Sequence, residues 1–432
     1  MLGKVQQSDS STGDVLTLDE HDFHEESAPA QQIPVELSDE NTDWVDLPLP
    51  LQSDYPWCPV PWRNPLKAVF WLVRTAFSLA SLVLILAIVA AIPIVNFIAL
   101  GYLLEVEARV ARSGRLLAAF PLLNQASRVG VIAAGIWLFL MPLRFLSGYA
   151  ADAAIIDPTS PTTAGLQIAT QVVWFLTTAH ILLALARGGS IGCFVRPFKN
   201  VTWLIGQLWS GNYLNMAGQN VRDFVQKLQL RALFWKGLRG FGVAFVWLLI
   251  PTAMYAALRR PEGVPVLLTI LGGFALAFTL MLVPFMQARF TTTGRFTAGL
   301  EIWEVRRAWK YAPIAWTFSL VFLYLLALPL YLFKAFLPPR DAMWLMTLVF
   351  VITIYPTRIF TGWAYARALK RREQNKLAHW SIRLICTALL WPLMGIFVFI
   401  LFFTQFLGAE GRLVLFAHHA LLLPAPFFLF GG

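Results

Sequence analysis

Long apolar runs dominate the sequence, and each is close to the length that a helix needs to cross a bilayer. A helix crosses the hydrocarbon core of a membrane with about 20 residues. Seven segments meet this requirement: 127–147, 165–186, 239–258, 264–287, 313–335, 342–362 and 384–407. Only 13% of the residues are charged and 58% are hydrophobic, so the chain cannot cover a surface in water. The sequence therefore predicts an all-α fold, a polytopic transmembrane helix bundle.

The distribution of lysine and arginine orients these segments. Alternate connections are rich in bases, whereas those at 148–164, 259–263 and 336–341 are short and carry few. The positive-inside rule places the base-rich connections in the cytoplasm. They contain Arg109, Arg112, Arg115, Arg128, Arg196, Lys199, Arg222, Lys227, Arg231, Lys236, Arg239, Arg306, Arg307, Lys310, Arg367, Lys370, Arg371, Arg372, Lys376 and Arg383. We expect a multi-pass protein of the cell membrane, the bacterial inner membrane, with its C-terminus outside unless 413–430 re-enters.

An eighth apolar run, 75–104, is too long for one perpendicular helix and too short for two full spans. Bases precede it at Arg63, Lys67 and Arg74, and bases follow it. Both sets lie in the cytoplasm if the run is a re-entrant hairpin that bends near Pro93. A long tilted span with the N-terminal tail outside is the alternative, which the bases oppose.

The first 60 residues differ in composition from residues 61–432, the predicted transmembrane domain. They carry thirteen acids and one base, Lys4, and 1–55 is too polar to bury a core, which predicts a disordered acidic tail. A hinge rich in proline and tryptophan follows at 54–65. Short apolar islands such as 33–35 could bind a protein partner. The tail starts without a basic segment and apolar run, so no cleaved signal peptide is expected.

The cytoplasmic connection 188–238 contains a predicted amphipathic helix. Val221, Phe224, Val225, Leu228, Ala232 and Trp235 recur at helical spacing, and Arg222, Lys227, Arg231 and Lys236 lie between them. Such a helix lies on the inner leaflet, where each base near an anionic headgroup contributes about 1 kcal/mol. We therefore expect these four bases to contact lipid, with an ordinary helix packed on other loops as the alternative.

One polar cluster falls inside a predicted span: Gln171, Thr177, Thr178 and His180. Gln171 and Thr178 share a helical face, and His180 could titrate or bind a solute, although such groups more often hydrogen-bond a neighbouring helix. Arg358 near the inner end of its helix is interpreted as an anchor that extends to the headgroups. Every acid outside the tail is placed in a loop or at a membrane edge, which disfavours a carrier driven by protons or sodium.

No motif predicts a catalytic residue, a cofactor site or a metal site. The glycines of RGGSIG (187–192) follow a helix and lack the lysine of a phosphate-binding loop. His21 and His24 stand among acids in the tail without completing a metal site. The three cysteines, Cys58, Cys193 and Cys386, are far apart and form no C-x-x-C pair. No helix-turn-helix, RNP or zinc-finger pattern suggests nucleic acid.

Two stretches carry a family resemblance: IPIVNFIALGYLLEVEARVARSG (92–114) and TGRFTAGLEIWEVRRAWKYAP (293–313). Both resemble segments of an uncharacterised prokaryotic family of multi-span membrane proteins of unknown function, over roughly residues 75–335. The resemblance implies a polytopic helical fold and supplies no site residues. Glu304-Val305 also echoes Glu105-Val106 ahead of a basic run and a proline, but two short matches are too little to establish an internal repeat.

Three functions remain open at this stage. The preferred one is a non-enzymatic membrane scaffold that engages anionic inner-leaflet lipid through its basic connections and a protein partner through its tail. The first alternative is a permease or channel, indicated by the number of spans and by Gln171 and His180. The second is a lipid-modifying enzyme of the membrane.

Overall fold

The computed structural model describes residue 56 and the ranges 58–257, 263–332, 343–406 and 411–416. The acidic tail at 1–55, the histidines at 21 and 24, the connections near 259 and 336, and most of 413–430 lie outside the described residues. The described ranges are helical and contain no strand.

Thirteen α-helices follow one another along the described chain. They are α1 (Pro65–Ala91), α2 (Asn96–Ser113), α3 (Leu123–Ile156), α4 (Pro161–Ala186), α5 (Ile191–Val195), α6 (Pro197–Trp209), α7 (Tyr213–Leu228), α8 (Leu230–Tyr255), α9 (Val264–Thr293), α10 (Ile302–Trp309), α11 (Pro313–Leu332), α12 (Met343–Glu373) and α13 (Trp380–Thr404). Short 3-10 turns lie at Leu116–Ala119, Phe296–Leu300 and Gly411–Phe416.

Eight segments of the described chain are long and apolar enough to cross a membrane, which confirms the predicted polytopic bundle. They contain α1, α3, α4, α8, α9, α11, α12 and α13. Each of the seven predicted spans coincides with one of these helices. Proline at the first helical position of α1, α4 and α11 suits the start of a helix, because its missing N–H has no partner there.

The bend predicted near Pro93 is confirmed, since α1 ends at Ala91 and α2 begins at Asn96. Ile94 in this bend has a φ of 67°, which a β-branched residue rarely adopts. A re-entrant hairpin would have two short helices that each enter the membrane only part of the way. Helix α1 has 27 residues and is itself long enough to span.

Helix α2 forms the centre of the bundle. It packs against α1, α8, α9 and α12, and its residues from Ala99 to Ala111 are all buried. Its closest neighbour is α8, where a Cβ atom added at Gly101 would lie 1.8 Å from the carbonyl oxygen of Leu233. A Cβ atom at Gly237 would lie 1.8 Å from the carbonyl oxygen of Phe97. Glycines on both helices therefore bring the two backbones together, as small residues do in membrane bundles.

The helix predicted across 221–236 is interrupted. Helix α7 ends at Leu228 and α8 begins at Leu230, because Gln229 between them has a φ of 49° and turns the chain. Residues before this break belong to a surface helix, whereas residues after it enter the bundle.

Candidate functional site

Helices α6 and α7 form a surface that combines exposed apolar side chains with bases. All of α7 is described, and none of its residues is buried. We call this the α6–α7 surface; its exposed apolar members are Phe198, Val201, Ile205, Leu208, Trp209, Leu214, Val221 and Val225. Its exposed bases are Arg196, Lys199, Arg222 and Lys227, with Asp223 as the acid among them. Exposed Arg231, in the first turn of α8 just after the break, adjoins α7 and is counted with them.

Three hydrogen bonds and one cation–π contact attach the α6–α7 surface to the rest of the protein. The Asn200 amide, fully buried, donates to the Cys193 carbonyl at 2.7 Å and accepts from Arg187 at 3.1 Å. Asn220 donates to the Ala186 carbonyl at 3.0 Å. The guanidinium carbon of Arg128 in α3 lies 4.8 Å from the ring centroid of Phe224 in α7. These contacts join α6 and α7 to the ends of α3 and α4, so the surface has a fixed place on the bundle.

One of the four predicted lipid-contacting bases does not belong to this surface, and its prediction is wrong. Lys236 follows the break at Gln229, is buried, and forms an ion pair with Glu105. Arg222, Lys227 and Arg231 are exposed, so their predicted contact with lipid remains open.

The polar cluster predicted in α4 is not assembled into a site. Gln171 is exposed on the outside of the helix, while Thr177 is buried and Thr178 half-buried. His180 points elsewhere: its Nε2 atom lies 3.0 Å from the Phe194 carbonyl, and its ring packs on Phe139 at 4.4 Å. His180 therefore connects α4 to α5, the structural role that was the alternative to solute binding.

Two acids predicted to lie in a loop are in the core instead. Glu105 and Glu107 belong to α2 and are 1% and 0% exposed. Glu105 accepts from Arg109 at 3.1 Å, lies 3.5 Å from Arg112, and pairs with Lys236 of α8. The sequence reasoning missed these acids because it ended the apolar run at residue 104, although the helix continues to Ser113.

Arg358 is not the predicted headgroup anchor, because it is buried at 3% exposure. Its Nη1 donates to Glu107 of α2 and to Gln287 of α9, both at 2.8 Å. Gln287 in turn donates to the Gly240 carbonyl of α8 at 2.9 Å. This cluster, which we call the Arg358 junction, connects α2, α8, α9 and α12 at one point.

The Arg358 junction lies where two similar stretches of sequence meet. Residues 107–119 and 287–299 match at a constant spacing of 180 residues. Identical pairs recur in register: Ala108-Arg109 with Ala288-Arg289, and Gly114-Arg115 with Gly294-Arg295. The acid and the amide that accept from Arg358, at positions 107 and 287, are therefore equivalent.

The backbone repeats as well as the sequence. Helix α2 ends at Gly114 with a φ of 66°, and α9 ends at Gly294 with a φ of 78°. An extended arginine and a 3-10 turn follow in both places. The pattern Ala-x-Ala-Arg at 184–187 also recurs at 364–367 with the same spacing. Helix α2 thus corresponds to α9.

The two Glu-Val pairs noted in the sequence are not part of this internal repeat. Glu105 precedes Gly114 inside α2, whereas Glu304 follows Gly294 and lies in α10. Their similarity does not correspond to equivalent places in the fold.

A second site candidate is a cavity of about 410 Å³ between α9, α10, α11 and α13. Its walls are apolar and aromatic, and its bases come from α10. It is lined by Phe278, Met281, Leu282, Trp303, Arg306, Arg307, Trp309, Lys310, Trp316, Leu320, Thr387, Leu390 and Trp391. Its volume falls within the range of about 300–1,000 Å³ that is common for small-molecule sites.

The described residues contain no cluster of three histidine, cysteine or acidic side chains that could hold a metal ion. No family model matches this chain, and neither a curated protein nor a solved structure does. By its fold and its surfaces, this protein is a multi-pass helical membrane protein with a basic amphipathic surface and an internal repeat.

Proposed function

We propose that this protein is a non-enzymatic scaffold of the cell membrane that gathers anionic lipid on the inner leaflet. The observation that carries the proposal is the α6–α7 surface, on which exposed bases and exposed apolar side chains lie on the same short helices. A helix of this kind inserts its apolar side chains below the headgroups and keeps its bases at the level of the phosphates.

The position of the surface supports the same proposal. The α6–α7 surface belongs to the base-rich connection between two spans, α4 and α8, which the positive-inside rule assigns to the cytoplasm. The cytoplasmic leaflet carries the anionic lipids that attract such bases. Exposed tryptophan at position 209 suits the headgroup region, because an indole ring has both an apolar body and a polar N–H.

The alternatives have weaker support. The permease hypothesis drew on the number of spans, which suits either function, and on Gln171 and His180, of which Gln171 is exposed and His180 contacts the Phe194 carbonyl. The lipid-modifying enzyme would need reactive groups near lipid, and the acids described in the core, Glu105 and Glu107, are engaged by bases. Scaffolding by lipid contact depends on neither feature.

The proposal is tested by the lipid selectivity of the reconstituted full chain. Spin-labelled phosphatidylglycerol and phosphatidylcholine, compared in the same vesicles, report which lipid is immobilised at the protein. We expect an excess of immobilised phosphatidylglycerol that falls severalfold in the triple variant Arg222→Gln, Lys227→Gln, Arg231→Gln, because each base contributes about 1 kcal/mol.

A matched control removes three exposed bases from another cytoplasmic connection, with Arg367→Gln, Lys370→Gln and Lys376→Gln. Both variants lose the same charge, but the control leaves the α6–α7 surface intact. An equal loss of selectivity in both variants would contradict the proposal, since it would show a response to net charge alone.

The scaffold also requires a protein partner, which we assign to the acidic tail on its sequence. Cross-linking in native membranes, with the full chain and with a chain that lacks residues 1–55, identifies partners that depend on the tail. We expect at least one such partner, and an identical set from the two chains would contradict this part of the proposal.

A further inference from the structure

We infer that the cavity between α9, α10, α11 and α13 is a binding site for one anionic phospholipid, with an acyl chain inside and the phosphate at α10. This inference rests on the proposed lipid-gathering function and names a defined site for that lipid. It concerns a part of the molecule separate from the α6–α7 surface, so the two are tested separately.

The walls of the cavity are suited to an acyl chain. Leu282, Trp316, Leu320 and Leu390 are buried and apolar, and they come from α9, α11 and α13. A hydrocarbon chain within these walls loses no hydrogen bond to water and gains contact along its length. Exposed Trp391 lies where the cavity reaches the surface of the bundle.

The bases of the cavity are suited to a phosphate. Arg306 on α10 and Lys310, the residue directly after α10, are exposed, and among the described residues no acid lies within ion-pair distance of either. The third base, Arg307, is paired with Glu304 at 2.7 Å. Two bases without an acidic partner beside an apolar cavity are complementary to a ligand with one anionic end and one hydrocarbon end.

Aromatic rings hold one of these bases at the cavity. The guanidinium carbon of Arg306 lies 5.2 Å from the ring centroid of Trp303 and 5.9 Å from that of Phe278. Both distances are within the range of cation–π attraction. Phe278 lines the apolar wall, so this contact places the charge of Arg306 beside the hydrocarbon site.

The occupant is a phospholipid for two reasons. The base-rich end belongs to a connection that the positive-inside rule places in the cytoplasm, at the level of the phosphates of the inner leaflet. The cavity is also bordered by helices that are long and apolar enough to span, so an acyl chain can enter directly from the bilayer. A free fatty acid shares the chain and the charge, and the experiment separates it from the phospholipid.

The test uses the full chain in vesicles that contain a trace of photoreactive lipid with a diazirine on its acyl chain. Three probes are compared: phosphatidylglycerol, phosphatidylcholine with the same chains, and the free fatty acid. We expect the phosphatidylglycerol probe to label peptides from α9 and α13 in preference to the other two.

Two variants alter the site in different ways. Met281→Trp fills the cavity, while Arg306→Gln with Lys310→Gln removes its bases from an exposed helix without changing the packed walls. We expect labelling by phosphatidylglycerol to fall roughly thirtyfold when the two bases are removed, the loss that two headgroup contacts predict. It should also fall severalfold in Met281→Trp, because the new ring takes the space of the acyl chain. Ile270→Trp, which places the same ring on an exposed position of α9 outside the cavity, is the control and should label as the wild type does.

The possible outcomes distinguish the inference from the proposed function. Wild-type labelling of both variants would overturn the cavity assignment, and so would stronger labelling by the fatty acid or equal labelling by phosphatidylcholine. In each of these cases the lipid selectivity of the α6–α7 surface can still hold. Lipid selectivity that the triple variant of Arg222, Lys227 and Arg231 leaves unchanged, together with wild-type labelling of the cavity, would support the site and contradict the proposed function.

Discussion

At the scale of single residues, the Arg358 junction is a buried ion pair whose loss should cost much of the stability of the bundle. Arg358 and Glu107 are both buried, and removing one partner from such a pair costs about 3–5 kcal/mol because the other charge stays in a medium of low polarity. Gln287 shares the arginine and occupies the position equivalent to Glu107 in the repeat.

This equivalence leads to a charge-swap prediction. Glu107→Gln should lower the free energy of unfolding by about 3–5 kcal/mol, because Arg358 loses its counter-ion. Adding Gln287→Glu to that variant returns the counter-ion from the opposite helix and should restore part of the loss. Restoration is incomplete because the new carboxylate no longer donates to Gly240, which costs about 1–3 kcal/mol. Thermal unfolding in detergent, followed by tryptophan fluorescence, ranks the three proteins.

The ranking that we expect is wild type, then the double variant, then Glu107→Gln alone. A double variant no more stable than Glu107→Gln would show that the two positions are not interchangeable around Arg358. Gln287→Glu alone is a useful comparison, since it places two carboxylates on one guanidinium.

A second residue-scale prediction concerns Glu304 in α10, outside the spans. Burial raises the pKa of its carboxyl, but the hydrogen bond and charge of Arg372, with the charges of Arg289 and Arg307, outweigh burial and lower the pKa overall. A lowered pKa stabilises the fold above the pKa of the unfolded state, and this contribution disappears as pH falls through the folded pKa. Wild type should therefore exceed Glu304→Gln in stability at pH 7.

The difference should be small, less than about 1 kcal/mol, because the ion pairs of Glu304 are partly exposed. It should decrease as the pH falls from about 4.5, where carboxylates begin to protonate. Melting temperatures of both proteins between pH 7 and pH 4 measure it. A difference that persists unchanged at pH 4 would mean that packing, rather than charge, distinguishes the two side chains.

At the scale of helices, the contact between α2 and α8 requires glycine. A methyl group at Gly101 would lie 1.8 Å from a carbonyl oxygen of α8, far inside van der Waals contact, so the helices must separate. Gly101→Ala should therefore destabilise the protein by at least about 1–3 kcal/mol, the usual cost of overpacking. Gly148→Ala in α3 is the matched control, since a Cβ there meets nothing within 4 Å.

The control should be neutral or stabilising by about 0.5–1 kcal/mol, because alanine favours a helix more than glycine does. Unfolding temperatures of the two alanine variants and the wild type, measured in the same detergent, give the comparison. Equal stability of the two variants would contradict the close approach of α2 and α8.

A part of the fold could be predicted from the sequence when the residues that determine it are close together in the chain. The seven predicted spans depend on local hydrophobicity over about 20 residues, and all seven coincide with helices. The ends of α2 and α7 were missed for different reasons. Helix α2 continues through two acids because a base distant in sequence pairs with each of them, Lys236 with Glu105 and Arg358 with Glu107. Helix α7 stops at Gln229, a residue that carries no strong turn signal.

The sites were predicted less well for the same reason. Exposure of Arg222, Lys227 and Arg231 follows from a local amphipathic pattern, which the sequence displays. The partner of Arg358 stands 251 residues away in the chain, so no local pattern reveals it. The cavity, formed by four separate helices, has no signature in any one of them.

At the scale of the whole molecule, the internal repeat bears on how often the chain crosses the membrane. Helix α9 is long and apolar enough to span a membrane. Its equivalent α2 carries too many charged residues to be recognised as a membrane span from its composition. Protein surrounds α2, however, so its charges do not meet lipid, and helices enclosed in this way can be polar. We expect α2 to cross the membrane as α9 does, at an equivalent place in a parallel repeat.

If α2 crosses the membrane, the residues before α1 must lie on the cytoplasmic face. If both α1 and α2 cross, the residues before α1 and after α2 lie on the same face, and bases near both ends place that face in the cytoplasm. Cys58, which is exposed just before α1, reports the side directly. In a chain with Cys193 and Cys386 replaced by serine, an impermeant maleimide should label Cys58 only after the cells are permeabilised.

Two further single-cysteine chains, which also lack Cys58, calibrate the measurement. Ser160→Cys lies in the base-poor connection before α4 and should be labelled in intact cells, whereas Ser210→Cys between α6 and α7 should need permeabilisation. Labelling of Cys58 in intact cells, with the two calibrating positions as expected, would mean that the chain crosses the membrane once between residues 58 and 114. In that case α2 would not cross the membrane as α9 does. The two helices would then be similar in how they pack, but not in how they are placed in the membrane.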